Sequence, residues 1–259
     1  MQKDIFQRIE EAGKPDFSDI LSKSFDLFKK VWEQAIYHVL ITMAMVIPFI
    51  ILVYVPILIM INVSGGFDGY GYHSVNDYYG NNFEPPVLWI IIYSIVVFVV
   101  VFIIQSISFG IIAHFFRVCK KADTGFPVET GGYFVFLKGE NLKKVFLLSI
   151  ATFLISIAAV ALCYFPIFYV MVPLHLLQVI FAFNEKLTVS ELISASFKLG
   201  NKYWLLTFGL LIIASLIAQV GILLCFIGII FTAYFVHIPI YYLYKDTVGF
   251  GDDIEEIKF

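Results

Sequence analysis

The sequence predicts an all-α integral membrane protein with six membrane-spanning helices. Hydrophobic residues make up 60% of the 259 residues and charged residues only 14%, whereas about a quarter of an ordinary soluble domain is charged. Four stretches contain no Asp, Glu, Lys or Arg: 34–67, 85–116, 145–184 and 203–244. A helix crosses a membrane with about 20 residues. The last two stretches are each about twice that length, so each predicts a helical hairpin.

The distribution of basic residues predicts the orientation. In the six-span arrangement all 17 Lys and Arg residues fall on one side of the membrane. A four-span arrangement would place Lys186, Lys198 and Lys202 on the other side. Because basic residues accumulate on the cytoplasmic side, the sequence favours six spans in the bacterial inner (plasma) membrane, with both termini in the cytoplasm.

The first element is a predicted surface helix at about 16–31. Phe17 and Phe28 belong to an apolar face at helical spacing, and charged residues occupy the remaining positions. This pattern is typical of an amphipathic helix on the membrane interface. Asp16 or Ser18 would cap its first turn. The polar residues before it are predicted to be loosely ordered.

The whole chain, 1–259, is predicted to be a single membrane domain. Pro48 and Pro56 predict kinks in the first span, because proline lacks the N–H of the helical hydrogen bond. The Gly-, Tyr- and Asn-rich segment 64–86 contains no basic residue and is predicted to be an outer loop. The predicted spans are at about 34–62, 87–117, 145–163, 167–184, 204–220 and 228–245.

A second surface helix is predicted at about 188–200, on the cytoplasmic side. It begins with Thr188 and Glu191, the spacing of a capping box, in which hydroxyl and carboxylate bond the free amides of a helix start reciprocally. Gly200 is a plausible C-terminal cap. The helix leads into the fifth span.

The two surface helices predict an internal repeat. A shift of 172 positions places 18–22 over 190–194 and continues through the pairs Lys30/Lys202 and Trp32/Trp204, with ten identical or similar residues in fifteen. We interpret this as one duplicated unit, with convergence as the alternative. Both copies lie on the same side, so the repeat would be parallel, about an axis along the membrane normal.

Three segments carry a resemblance to a known family: the surface helix 17–32, the run 173–199 that includes the second surface helix, and the hairpin 209–228. They resemble a broad bacterial family of uncharacterised multi-pass membrane proteins. That family is related to the membrane domain preceding the catalytic domain of some glycerophosphodiester phosphodiesterases. The resemblance implies a six-helix membrane module and no reaction, because the His-Arg-Gly opening of the catalytic domain is missing here.

Four histidines in four predicted spans raise the hypothesis of an iron-dependent membrane oxygenase acting on a carotenoid or lipid: His38, His114, His175 and His237. Their predicted depths argue against one four-histidine site. The first two lie near the cytoplasmic ends of their spans, and the other two lie ~12 to 16 Å deeper at helical rise. Two interfacial histidines and two hydrogen-bonded interior ones are therefore expected, with no metal or other cofactor.

Buried glutamines suggest a second alternative, a transporter of an uncharged or amphiphilic small molecule. An amide inside a span must find hydrogen-bond partners, and such residues most often join helices. No Asp, Glu, Lys or Arg enters a span, which lowers the likelihood of ion-coupled transport. The residues that could line an intramembrane polar cavity are Gln105, His175, Gln178, Gln219 and His237.

The preferred prediction is a non-enzymatic lipid-interacting or scaffold module. Membrane phospholipids are the predicted partners, nucleic acid is not expected, and a homo-oligomer or a membrane-protein partner stays open. The surface helices would insert aromatic rings and contact anionic head groups with lysines. The predicted lipid-interface residues are Phe17, Phe25, Phe28, Lys29, Lys30, Trp32, Phe197, Lys198, Lys202 and Trp204.

Overall fold

The computed structural model describes residues 4–63, 86–128, 130–162, 165–223 and 228–250. Within these ranges every regular element is a helix, which confirms the all-α class. The predicted outer loop at 64–86 lies outside the described residues except for its last position. The α-helices are α1 Ile5–Glu11, α2 Phe17–Val63, α3 Val87–Asp123, α4 Gly139–Ala161, α5 Phe165–Phe183, α6 Val189–Lys202, α7 Trp204–Leu223, α8 Gly228–Thr232 and α9 His237–Thr247.

Five helices are long and apolar enough to cross a membrane: α2, α3, α4, α5 and α7. The predicted sixth span is not one continuous helix. It is divided into α8, a 3₁₀ segment Ala233–Val236, and α9. The break precedes Pro239, which has no N–H to donate to the carbonyl of Phe235. The His237 N–H donates instead to the carbonyls of Tyr234 and Phe235, so the chain tightens at this point.

The first surface helix is not a separate element, contrary to the sequence prediction. α2 runs without interruption from Phe17 to Val63. The chain contains no Gly or Pro between Phe17 and Pro48, so nothing stops the helix at the predicted interface. The Asp16 carboxylate accepts the Asp19 N–H at 2.8 Å, which confirms Asp16 as its cap.

The second surface helix is distinct and begins as predicted. α6 starts after Thr188, whose hydroxyl accepts the Glu191 N–H at 3.3 Å, while the Glu191 carboxylate accepts the Thr188 N–H at 2.8 Å. The capping box is therefore confirmed. α6 continues past the predicted end at Gly200 and is separated from α7 by Tyr203.

The described chain divides into two compact units. The first runs up to Ile41 and from Ser106 onward, and the second is Thr42–Gln105. In the first unit, α5 occupies the centre and packs against α4, α6, α7 and α9. Its Leu176 and Leu177 are fully buried, as are Phe115 and Phe116 of α3.

A proline junction in the first unit joins three helices. Pro173 of α5 cannot bond the carbonyl of Tyr169, four residues earlier. The indole N–H of Trp204, at the start of α7, donates to that carbonyl at 3.2 Å. Gly200 of α6 lies against the same proline, where an added Cβ would be 3.1 Å from Pro173 Cβ. A side chain from another helix thus bonds the carbonyl that this proline leaves without its helical donor.

The second unit has a comparable junction. Its two helical segments have mostly exposed apolar side chains. Pro56 leaves the Leu52 carbonyl without its helical donor. The Tyr93 hydroxyl, from the other segment, donates to the neighbouring Val53 carbonyl at 2.6 Å and lies 3.4 Å from the Leu52 carbonyl. An aromatic side chain again compensates a proline.

Candidate functional site

Two of the predicted histidines form a buried pair. His38 of α2 and His114 of α3 are 0% and 1% exposed. Nε2 of His38 lies 2.9 Å from Nδ1 of His114, and the two rings stack with centroids 5.1 Å apart. Both imidazoles therefore belong to the buried core of the first unit.

The hydrogen bonds fix the proton positions of the neutral pair. Nδ1 of His38 lies 2.6 Å from the Gln34 carbonyl oxygen. That oxygen only accepts, so Nδ1 of His38 carries the proton and its Nε2 is the acceptor. His114 must then donate from Nδ1. The arrangement is a directed chain that runs from His114 through His38 to the backbone of α2.

Aromatic rings surround the pair. The centroid of His38 lies 5.2 Å from that of Phe115, 5.0 Å from Tyr133 and 5.4 Å from Tyr234. The Tyr133 hydroxyl donates to Gln34 Oε1 at 3.3 Å. Such surroundings exclude bulk water and stabilise uncharged imidazoles.

His237 approaches the same cluster. Its ring centroid lies 5.2 Å from that of Tyr234, which itself lies 5.4 Å from His38. The two imidazoles are therefore no more than 10.6 Å apart, the sum of these distances. Among the described residues, however, no three His, Cys, Asp or Glu side chains are arranged to hold a metal ion.

The predicted cavity residues occupy different environments. Gln105, in the second unit, and Gln219 of α7 have exposed side chains. His175 is half-buried, and His237 is buried. Oε1 of Gln178 is buried and has no hydrogen-bond partner among the described residues. The exposed pair is thus not enclosed with the buried groups.

The predicted lipid-interface residues of α2 are only partly engaged by the protein. Phe17, Phe25 and Trp32 remain 37%, 41% and 41% exposed. Phe25 and the half-buried Phe28 contact the ring of Phe235, and Trp32 stacks on Phe231. Lys29 pairs with Asp26 at 2.8 Å, and Lys30 is exposed.

Residues of α6 bind the protein itself rather than presenting free cations. The Lys202 ammonium donates to the carbonyls of Ile9, Glu10 and Ala12 at 2.8, 2.7 and 2.9 Å. Lys198 forms an ion pair with Glu10. Carbonyls at a helix end lack helical partners and carry the negative end of the helix dipole. The two lysines therefore clamp α1. Trp204 is half-buried and also packs against the core, and Phe197 is half-buried.

Sequence reasoning missed α1, which it assigned to a loosely ordered segment. Ile5 and Ile9 are buried at 3% and 0% exposure, one helical turn apart. That spacing was the available signal. The Arg8 guanidinium donates to the Gly249 carbonyl at 3.0 Å, so α1 contacts the C-terminal part of the described chain as well as α6.

Further ionic contacts join the charged ends of the helices. Arg117 of α3 pairs with Glu185, after α5. Asp123 accepts hydrogen bonds from the hydroxyls of Tyr241 and Tyr242, each at 2.9 Å, and pairs with Lys245 at 2.5 Å. These contacts bring the charged segments of the first unit together.

Together, the described residues define an all-helical fold in which five helices are compatible with membrane crossing. No family model, curated protein or solved structure matches it. The resemblance to the family related to the phosphodiesterase membrane domain therefore stays a prediction.

Proposed function

We propose that the protein is a non-enzymatic, lipid-interacting scaffold of the bacterial inner membrane. The observation that supports this most directly is a division of surfaces. Apolar side chains are widely exposed along the membrane-length helices, whereas several charged groups at the helix ends form ion pairs with one another. Exposed apolar surface of this extent requires lipid or protein to cover it.

A six-span topology with both termini on one side is part of this proposal. Arg8 donates to Gly249, and Lys23 pairs with Asp246 at 3.3 Å. Contacts between the N-terminal and C-terminal segments favour an even number of crossings. The divided segment 228–247 has 20 residues by its helix bounds, or ~30 Å at helical rise, which is enough to act as the sixth crossing.

The lipid-interacting face is assigned to the start of α2. Phe17, Phe25 and Trp32 are exposed there, and Lys30 is exposed nearby. Aromatic rings with a neighbouring cation are typical of a membrane interface. α6 is left out of this face because Lys198 and Lys202 bind α1.

The duplicated unit is also part of the proposal, as a parallel repeat. Equivalent positions at the 172-residue shift share their environment: Ile20 and Leu192 are both fully buried, as are Ser24 and Ser196. Their helices also begin with a side-chain cap in the same register. These similarities support a duplication in which one ancestral helix gave rise both to the start of α2 and to α6.

The two alternative functions have less support. Broken transporter helices expose backbone carbonyls to a substrate, but the carbonyl opposite Pro173 accepts the Trp204 indole N–H. An iron oxygenase needs several converging ligands. Here His38 and His114 form a hydrogen-bonded pair, and His237 reaches this pair through the ring of Tyr234. Neither arrangement favours these activities over a scaffold.

A spin-label experiment tests the proposed face. We would replace the three cysteines by alanine and attach a label through Phe25→Cys, with Phe126→Cys as control, because Phe126 is 62% exposed in the α3–α4 connector. In phospholipid nanodiscs, the label at position 25 should be relaxed more by oxygen than by water-soluble nickel chelate, and the control should show the reverse. Equal nickel accessibility at the two positions would contradict the proposal.

A further inference from the structure

Three buried side-chain oxygens on the α4–α5 hairpin have no hydrogen-bond partner among the described residues. They are Ser149 Oγ and Thr152 Oγ1 of α4, and Gln178 Oε1 of α5. Ser149 is only 1% exposed. Buried polar groups in membrane helices are expected to be satisfied. Three exceptions in one pair of helices suggest that something else supplies their hydrogen bonds.

The register of the hairpin places these oxygens at similar levels. α4 ends at Ala161 and α5 begins at Phe165, so the helices are antiparallel neighbours, and they pack together. At their other ends, Asn141 and Lys144 of α4 hydrogen-bond to Glu185. In such an antiparallel pair the residue numbers of one helix rise as those of the other fall. A residue of α4 and a residue of α5 therefore lie opposite each other when their two numbers add up to about 327.

Two polar pairs follow from this register. Ser149 lies at the level of Gln178, and Thr152 lies at the level of His175. Within each helix the two polar residues are three positions apart, which places them on one face. His175 is half-buried, so it is the member of this group that a molecule outside the bundle would meet first.

We propose that this polar group binds the hydroxyl of an uncharged membrane lipid, of the diacylglycerol type. Two hydroxyls, an amide oxygen and an imidazole can accept from and donate to a lipid hydroxyl. No charged residue lies in 145–184, so a phosphate or ammonium head group would be left uncompensated there. Exposed Leu154 and Phe168 on the two helices provide apolar surface for an acyl chain. This inference rests on the lipid-interacting part of the proposed function.

Native mass spectrometry of the full chain in detergent tests the inference. The probes are 1,2-dioleoylglycerol and 1,2-dioleoyl-3-acetylglycerol, which differ in the free hydroxyl. We expect the wild-type protein to retain the alcohol about tenfold more than the acetate, the effect of about two hydrogen bonds. Thr152→Val and Gln178→Met, both close in shape to the natural residues, should abolish the preference.

Ser156→Ala is the matched control, because the Ser156 hydroxyl already donates to the Thr152 carbonyl at 2.8 Å. This variant should keep the preference. Thermal unfolding provides a second readout: dioleoylglycerol should raise the melting temperature of the wild type. Without the alcohol, Thr152→Val and Gln178→Met should melt above the wild type, since each removes an unsatisfied buried oxygen.

Equal retention of the two probes by the wild type would overturn the inference, as would an unchanged preference in Thr152→Val. The proposed function is tested separately by the label at position 25. A lipid-exposed label together with equal probe retention would therefore reject the hydroxyl site alone. A water-exposed label would reject the proposed interface.

Discussion

Lys202→Met should release α1 from the body of the first unit. The ammonium of Lys202 donates to the carbonyls of Ile9, Glu10 and Ala12 at 2.7 to 2.9 Å. Methionine keeps much of the apolar length of lysine and removes all three donors. α1 has only seven residues, which is too short for an isolated helix to be stable in water, so its order depends on such contacts.

The size of the effect follows from the charge on the donor. A hydrogen bond to a charged group contributes about 1.5–3 kcal/mol. Because Lys202 is exposed, we take the lower end for the three bonds together, about 1.5 kcal/mol. That free energy corresponds to about a tenfold increase in the open fraction of α1.

Hydrogen exchange read by mass spectrometry measures this directly. The amides of Ile5–Glu11 should exchange about tenfold faster in the variant, while those of α5 stay unchanged. Lys29→Met is the control, because Lys29 pairs with Asp26 of its own helix. Unchanged exchange of α1 in Lys202→Met, or an equal increase in the control, would refute the clamp.

Two further predictions concern the proline junction and the ion pair of α1. Trp204→Phe should lower the free energy of unfolding by about 1–2 kcal/mol, because the Tyr169 carbonyl loses its donor. In a Pro173→Ala background residue 173 regains an N–H for this carbonyl, so thermal unfolding should show a smaller loss. A loss of the same size in that background would contradict the explanation. Lys198 lowers the pKa of Glu10 below its usual value of 4.5, so the stabilisation is present above that pH and is lost as the pH falls through the lowered pKa. A spin label on α1 should become mobile as the pH falls through the lowered pKa of Glu10. Lys198→Met should remove this pH dependence. If the variant showed the same transition, the Glu10–Lys198 ion pair would not be the cause of the mobility change.

The sequence predicted the parts of the fold that depend on local pattern. Charge-free stretches longer than a bilayer identified the five membrane-length helices, since exclusion of charge is a property of the segment itself. The Thr188 capping box was predictable for the same reason, because all of its atoms lie within one helical turn. α1 carried a comparable signal in Ile5 and Ile9, but its short length hid it among polar residues.

The outcomes at the candidate sites depended on contacts between distant segments. Depth along a straight helix suggested that His38 and His237 lie far apart, yet both contact Tyr234. The α6 lysines were expected at lipid head groups because sequence gives no sign that the carbonyls of α1 lie beside them. Whether a polar side chain such as Ser149 finds a partner is likewise decided only when the helices pack.

The division of the last segment implies an order of assembly during biosynthesis. α8, the 3₁₀ turn and α9 form a weaker insertion signal than a continuous apolar helix, since their helical backbone is interrupted. Their buried residues, Tyr234 and Tyr241 among them, pack on helices translated earlier. Asp123, at the end of α3, can accept the hydroxyl hydrogen bonds of Tyr241 and Tyr242 only after this segment has been synthesised. The divided segment would therefore pack after the helices that precede it in the chain.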